Sequence, residues 1–486
     1  MAEPGIAERT LRGMAWSYGS YVGGRVLVLA STAALARLLT PEDFGLVALA
    51  LTVMALLEAF ADLGVGHALI VETEDAVEDR AETAFVFSIG MGVVLSGIVA
   101  ALSPVAAAVF DEPRLIAITS VLGLNFLLRS FRSTPEALSR KAMQFRPITL
   151  ADLADAVVRG ALGIALAVAG AGVWALVAGY LVGTLARNVV IWRLVPWRPR
   201  LKPDRAHLRQ LLTFGGGLSL VSLLNAFIGT FDDLVVGRVL GTTALGLYVL
   251  GFRLPELLII NMSNVAGDVL FPAFASVGRE ALARAYLTAL RYTLMLGLPL
   301  AAALAVLAEP IVLTLFGDQW RETATVMQIL TIYALGVTIG IPAGTVYKAT
   351  GRAGVLLKLA VFRAALLAAG VLLLVDYGID AVAASQAAVA GLFSLIGLGL
   401  ASRLLAVRPR EIAAAIWPAL VPTAAMALVL AVADRALGPE WLVLVVAIPA
   451  GAATYLAILA LVAPQSLRYV VERVRGARAS PQASVP

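Results

Sequence analysis

Cysteine is absent from the 486 residues, and histidine occurs only at His67 and His207. The first absence excludes disulfides, thiolate metal sites and thiol nucleophiles. The second excludes a multi-histidine metal centre. Charge is scarce too, at 14% of residues, where soluble domains carry about 25%. Long polar intervals are missing: the longest outer loop spans roughly 309–321 and the longest inner one 196–209, which leaves no room for an appended catalytic domain. The start, residues 1–14, has no apolar run ending in small residues, so no cleavable signal is expected. Gly215–Gly217 is not followed by the Gly-Lys-Ser/Thr of a phosphate loop.

Apolar sequence is what the chain does have. Sixty per cent of residues are hydrophobic (60%) and the mean hydropathy is +0.91, the composition of a polytopic membrane protein. About fourteen runs are long enough to cross a hydrocarbon core of about 30 Å. They lie near 14–38, 43–66, 83–109, 115–137, 148–169, 173–194, 211–237, 243–271, 286–308, 322–346, 355–375, 380–401, 412–433 and 441–463. The fold expected is all-α. Thr40-Pro41-Glu42-Asp43 reads as a tight turn at the water interface between the first two runs.

Basic residues sort the loops. One alternate set holds Arg140, Lys141 and Arg146, then Arg193 to Arg209, Arg279 and Arg284, Lys348 to Lys358, and Arg403 to Arg410, with Arg468 to Arg478 in the tail. The other holds one each: Arg37, Arg114, Arg238, Arg321 and Arg435. The positive-inside rule places the first set, and both termini, in the cytoplasm. The acidic stretch Glu72–Glu82, read as a loop, counts little in that rule. Trp16, Trp174, Trp192, Trp197, Trp320, Trp417 and Trp441 fall near the expected interfaces, as an aromatic belt does.

An internal repeat is visible. Arg37, Leu39, Gly45 and Leu46 match Arg238, Leu240, Gly246 and Leu247 at a constant offset, each set at the outer turn after the first helix of a six-helix block. The expected organisation is a six-helix lobe over 1–197, a second over 198–407, two further helices over 408–465 and a basic tail over 466–486. Parallel repeats of this kind place their site between the lobes.

Several charged and polar groups interrupt the apolar runs: Arg25 in the first, Glu58 and Asp62 in the second, Asp152, Asp155 and Arg159 in the fifth, Asn225, Asp232 and Asp233 in the seventh, and Arg253, Glu256 and Asp268 in the eighth. A charge at the bilayer centre costs roughly 2.5–3.5 kcal/mol on insertion scales. The charged faces therefore look into water or protein. Arg253 with Glu256 and Arg159 with Asp155 have the spacing of pairs along one helix. Arg25 has a plain alternative as one partner of an inter-helix salt bridge. His67 reads as an ordinary interfacial residue, and Gly23–Gly24 as a site of close helix approach.

Residues 37–70, 138–181 (with Gly-x-Gly-Val-Trp-Ala-Leu-Val at 170–177), 231–254 and 270–277 resemble the bacterial polysaccharide and oligosaccharide flippases of the multidrug/oligosaccharidyl-lipid/polysaccharide exporter superfamily. The resemblance extends over about residues 10–465. It implies two six-helix lobes, with two added helices. It also implies transport, without chemical catalysis, of an undecaprenyl-pyrophosphate-linked oligosaccharide from the inner to the outer leaflet of the bacterial cytoplasmic membrane. The cavity residues expected on that basis are Arg25, Glu58, Asn225, Asp232, Asp233, Arg253 and Glu256. Arg25, and then Arg253, would attract the diphosphate. Asp232, Asp233 and Glu58 would carry a coupling proton or sodium ion. No other cofactor and no nucleic acid is expected. The partners implied are membrane lipids, a polysaccharide polymerase and glycosyltransferases. The rival within the superfamily is a cation-coupled multidrug antiporter, which calls for a cavity of carboxylates and aromatics. A lipid-dependent glycosyltransferase fits poorly with the short outer loops.

Overall fold

The structure is a computed structural model that describes residues 23–61, 77–200, 204 and 226–465. Among these the chain is helical, with no strand. In lipid every backbone N–H and C=O must be satisfied within the segment, which the α-helix does. The helices are α1 (23–38), α2 (Pro41–Ala61), α3 (Val77–Phe110), α4 (Arg114–Lys141), α5 (Phe145–Val168), α6 (Val173–Leu194) and α7 (226–239). They continue with α8 (Gly241–Pro255), a π turn (Glu256–Ile260) and α9 (Asn261–Ala275), which form one long span, then α10 (Arg279–Val306) and the short α11 (Ala308–Leu315). The last are α12 (Thr323–Ala349), α13 (Ala353–Leu374), α14 (Ile379–Leu405), α15 (Pro409–Ala436) and α16 (Glu440–Val462). Among the described residues ten spans are long and apolar enough to cross a membrane. Four of the expected runs are outside that number. Runs 14–38, 43–66 and 211–237 are described only in part, and 148–169 carries Asp152, Asp155 and Arg159.

Two local expectations are corrected. Thr40–Asp43 is not a free turn but the start of α2. Thr40 N–H and Oγ1–H donate to Asp43 Oδ2 at 3.1 and 2.9 Å, Asp43 N–H donates to Thr40 Oγ1 at 3.2 Å, and Pro41 opens the helix. This is a capping box with proline at the first helical position, where no N–H is needed. The acidic stretch is helical from Val77 onward, because α3 extends past its apolar run. There Glu82 is buried and accepts the Arg200 N–H at 2.6 Å, tying the segment after α6 to α3.

The chain divides into two compact units at Gly246/Leu247. In the first, small residues let helices approach closely. A Cβ on Gly45 of α2 would collide with the Thr242 carbonyl oxygen of α8, and one on Gly246 of α8 with the Pro41 carbonyl oxygen of α2. Gly160 of α5 lies against Ser31 of α1, Gly92 of α3 against Ser130 of α4, and Gly183 of α6 against Asp155 of α5. At Gly23 and Gly24, by contrast, a Cβ would meet nothing within 4 Å. The α5–α6 turn holds Gly170 and Gly172 at φ +82° and +55°, a left-handed conformation that favours glycine and accounts for the Gly-x-Gly. Phe85 packs edge to face against Trp192 and Trp197, whose own rings are tilted on each other, with centroids 5.5–6.3 Å apart.

In the second unit α12 is central and packs on α9, α10 and α14. Ser263 of α9 and Thr338 of α12 share a hydrogen bond of 2.8 Å, and Tyr347 OH donates to the Gly397 carbonyl at 3.1 Å. Phe274, Tyr286, Val346, Tyr347 and Ala401 form an apolar core. The last two helices attach through α10: Ala419 of α15 packs on Leu290 and Leu294, and Tyr455 OH of α16 donates to the Met295 carbonyl at 2.6 Å. Trp320 is fully buried between α11 and α12, so it is a core residue rather than part of a headgroup belt.

Candidate functional site

In the first unit the polar groups converge between helices. Glu58, on the exposed part of α2, is ion-paired with Arg129 of α4. Asp233 of α7 accepts from Thr52 Oγ1 of α2 at 3.4 Å, and its neighbour Asp232 is buried. Arg25 is half-buried on α1, which runs parallel to α5 with Ser31 opposite Gly160 and Leu35 3.5 Å from the space above Gly163. That register puts Arg25 at the level of Asp155. Asn225, Asp62 and His67 lie outside the described residues, and the side chain of Asp268 does too.

A larger network escaped the sequence reading. Arg129, Arg132, Glu136 and Arg140 lie three, four and four residues apart, along one face of α4. Glu136 is 8% exposed and accepts from Arg132 Nε and Arg187 Nε, each at 3.0 Å, while Arg140 stands 3.9 Å away. Arg187 of α6 also reaches Asp152 of α5 at 2.6 Å. One turn further along α5, Arg159 Nη2 donates to both oxygens of Asp155 at 3.0 and 2.8 Å and lies 4.4 Å over the ring of Tyr180. Thr184 Oγ1 donates to Asn125 Oδ1 at 3.0 Å, and Asn125 Nδ2 donates to Tyr180 OH at 3.4 Å. The signal was present in α4: its most hydrophilic residues recur on a helical period. On this face Arg132 and Glu136 are largely enclosed by protein, while Arg129 and Arg140 are half-exposed.

In the second unit Arg253 and Glu256 pair at 3.2 Å, as their spacing predicts. They flank Pro255, which lacks an N–H, and the ladder relaxes there into the π turn. Phe252 packs edge-on against Tyr333 of α12 at 5.6 Å, and Arg363 of α13 donates to the Tyr333 hydroxyl at 3.4 Å. Arg363 was not anticipated, because two charges, Lys358 and Arg363, in an otherwise apolar run of 22 residues leave hydropathy high.

These interior charges suit a membrane protein that handles a polar cargo, and the comparisons agree. The sequence pattern of the family described as polysaccharide biosynthesis protein matches residues 34–325, more than half of the chain. The chain belongs to that family. Curated relatives of this polysaccharide biosynthesis protein include lipopolysaccharide biosynthesis protein WzxC of Escherichia coli (strain K12), 26% identical over 366 residues, which are 74% of this chain and 73% of the relative. Teichuronic acid biosynthesis protein TuaB of Bacillus subtilis (strain 168) is 24% identical over 72% of this chain and 73% of its own. Succinoglycan biosynthesis transport protein ExoT of Rhizobium meliloti (strain 1021) is 26% identical over 74% and 73%. Among solved structures, lipid II flippase MurJ in an inward closed conformation aligns with a TM-score of 0.71 at 14% identity, covering 92% of this chain and 98% of that one. An inward-facing multidrug resistance MATE family transporter of the MOP superfamily gives 0.64 at 19% identity, covering 79% and 94%. The family protein therefore shares the fold of MOP superfamily transporters.

Proposed function

We propose that this protein moves a lipid-linked oligosaccharide, a polysaccharide repeat unit on undecaprenyl pyrophosphate, from the inner to the outer leaflet of the bacterial cytoplasmic membrane. It is a transporter and not an enzyme. The carrying observation is a set of ion pairs on the helices of the first unit: Glu58 with Arg129 between α2 and α4, Glu136 with Arg132 and Arg187 between α4 and α6, Arg187 with Asp152 of α5, and Arg159 with Asp155 along α5. Diphosphate and sugar cannot cross hydrocarbon unaided, since unmatched polar groups there are expensive. The relatives named for lipopolysaccharide, teichuronic acid and succinoglycan biosynthesis support a glycan-bearing cargo. The flippase among the fold neighbours supports a lipid carrier.

In this reading fourteen spans form two six-helix lobes, 1–197 and 198–407, followed by helices over 408–465 and a cytoplasmic tail over 466–486. Both termini are cytoplasmic. The same order of helix pairing occurs twice, third on fourth, fifth on sixth and fourth on sixth, in α1–α6 and in α7–α14, which supports a duplicated lobe. Arg25 and Arg253 are assigned to attract the diphosphate, and Asn225 and Glu256 are assigned to the cargo as well. Asp232, Asp233 and Glu58 bind the coupling proton or sodium ion, and the lobes alternate access by rocking. A polymerase and glycosyltransferases act before and after it. The antiporter reading has the MATE fold likeness in its favour, but the arginine content of the interior favours an anionic cargo.

The test is translocation of a labelled undecaprenyl-pyrophosphate oligosaccharide in proteoliposomes. Faster transfer than in protein-free vesicles is the expected result. Transfer at the protein-free rate under imposed proton and sodium gradients overturns the proposal.

A further inference from the structure

Arg363 sits at the middle of α13, a helix of 22 residues. Arg129, Arg132, Arg159, Arg187 and Arg253 each have a carboxylate partner. Arg363 has instead a phenol: its Nη2 donates to Tyr333 OH at 3.4 Å, and its guanidinium carbon lies 6.0 Å from that ring's centre. Its Nε is buried and has no hydrogen-bond partner among the described residues. Glu256, near Phe252 in the sequence, is taken by Arg253. Tyr333 is itself held edge-on by Phe252, so the platform under the guanidinium is fixed. Beside it on α13, Val361 and Phe362 are 52% and 59% exposed, which leaves the helix open to a ligand approaching through the lipid. A cation at this depth needs an anion or water, and a planar fork with donors to spare matches phosphate oxygens.

We propose that Arg363, steadied by Tyr333, binds the diphosphate of the lipid-linked cargo within the membrane. The proposal rests on the transport reading above and adds to it a residue beyond the family match at 34–325. Two sources of phosphate are available to such a site, the cargo's diphosphate and a phospholipid headgroup, and we commit to the cargo's.

The test uses the full chain in nanodiscs, with undecaprenyl diphosphate as probe, undecaprenol as its neutral control and phosphatidylglycerol as competitor. Arg363→Gln is expected to weaken binding of undecaprenyl diphosphate by about tenfold or more, the loss of a hydrogen bond to a charged group, and to leave undecaprenol binding unchanged. Binding within about twofold of wild type is too small for such a bond and overturns the proposal. So does a wild type from which phosphatidylglycerol displaces undecaprenyl diphosphate at equal concentration. Should Arg363→Gln fail to insert, Arg363→Lys decides: it keeps the charge and loses the fork, so weaker diphosphate binding supports the proposal and equal binding overturns it. Wild-type translocation in proteoliposomes separates the two claims. If the wild type translocates and Arg363→Gln binds normally, only the role of Arg363 falls; if the wild type does not translocate, the transport reading falls.

Discussion

Gly45 and Gly246, matched positions of the internal repeat, are the two sides of a single contact. A Cβ on either would strike a carbonyl oxygen of the other's helix, and each would also lie 3.1 Å from the other glycine's amide nitrogen. The contact is reciprocal: Gly45 faces Thr242 and Gly246 faces Pro41, positions related by the same offset as the glycines themselves. The repeat therefore marks a place where two helix starts meet backbone to backbone, an approach that only glycine permits.

Gly45→Ala forces α2 and α8 apart at this point. It is expected to destabilise the protein by about 1–3 kcal/mol, as overpacking does, read as a lowered melting temperature in detergent. Gly97→Ala on α3, where a Cβ meets nothing within 4 Å, is the control; its effect is expected to stay within about 1 kcal/mol.

Glu136 neutralises two largely buried arginines at once. Glu136→Gln leaves Arg132 short of a counter-charge and Arg187 with Asp152 alone, an expected loss of about 3–5 kcal/mol. Arg140→Gln removes a half-exposed partner 3.9 Å away, and the expected loss is below about 1 kcal/mol. Equal melting temperatures for the two variants contradict this assignment of the network's centre.

At the turn between α3 and α4, Arg114 donates to both oxygens of Glu112 at 2.8 and 2.9 Å and also pairs with Glu42. The hydrogen bonds from Arg114 hold the Glu112 carboxyl below its ordinary value of 4.5, against the opposing effect of partial burial. A lowered folded-state value contributes stability that is complete above the unfolded value and lost as pH falls through the folded one. Melting temperature should therefore drop below pH 4.5, and Glu112→Gln should flatten that drop. The amplitude is below about 1 kcal/mol because Arg114 is half-exposed.

Arg25→Gln is expected to abolish polymer export while the protein still inserts and purifies normally. Full complementation of an export-deficient strain by this variant removes Arg25 from the mechanism. Arg253→Gln is expected to act more weakly on transport, since Arg253 already shares its charge with Glu256.

Sequence alone determined the helical class and the pairs made along one helix. Arg253–Glu256 and Arg159–Asp155 are legible because the helical repeat puts residues three and four apart side by side, whatever surrounds them. Only tertiary structure decided that Glu58 meets Arg129, that Glu136 meets Arg187, and that Arg363 rests on Tyr333. Hydropathy measures how much charge a span carries but not the angle at which neighbouring spans turn it. That angle is set by small-residue contacts such as Gly160 on Ser31 and Gly183 on Asp155, where close approach fixes which faces meet.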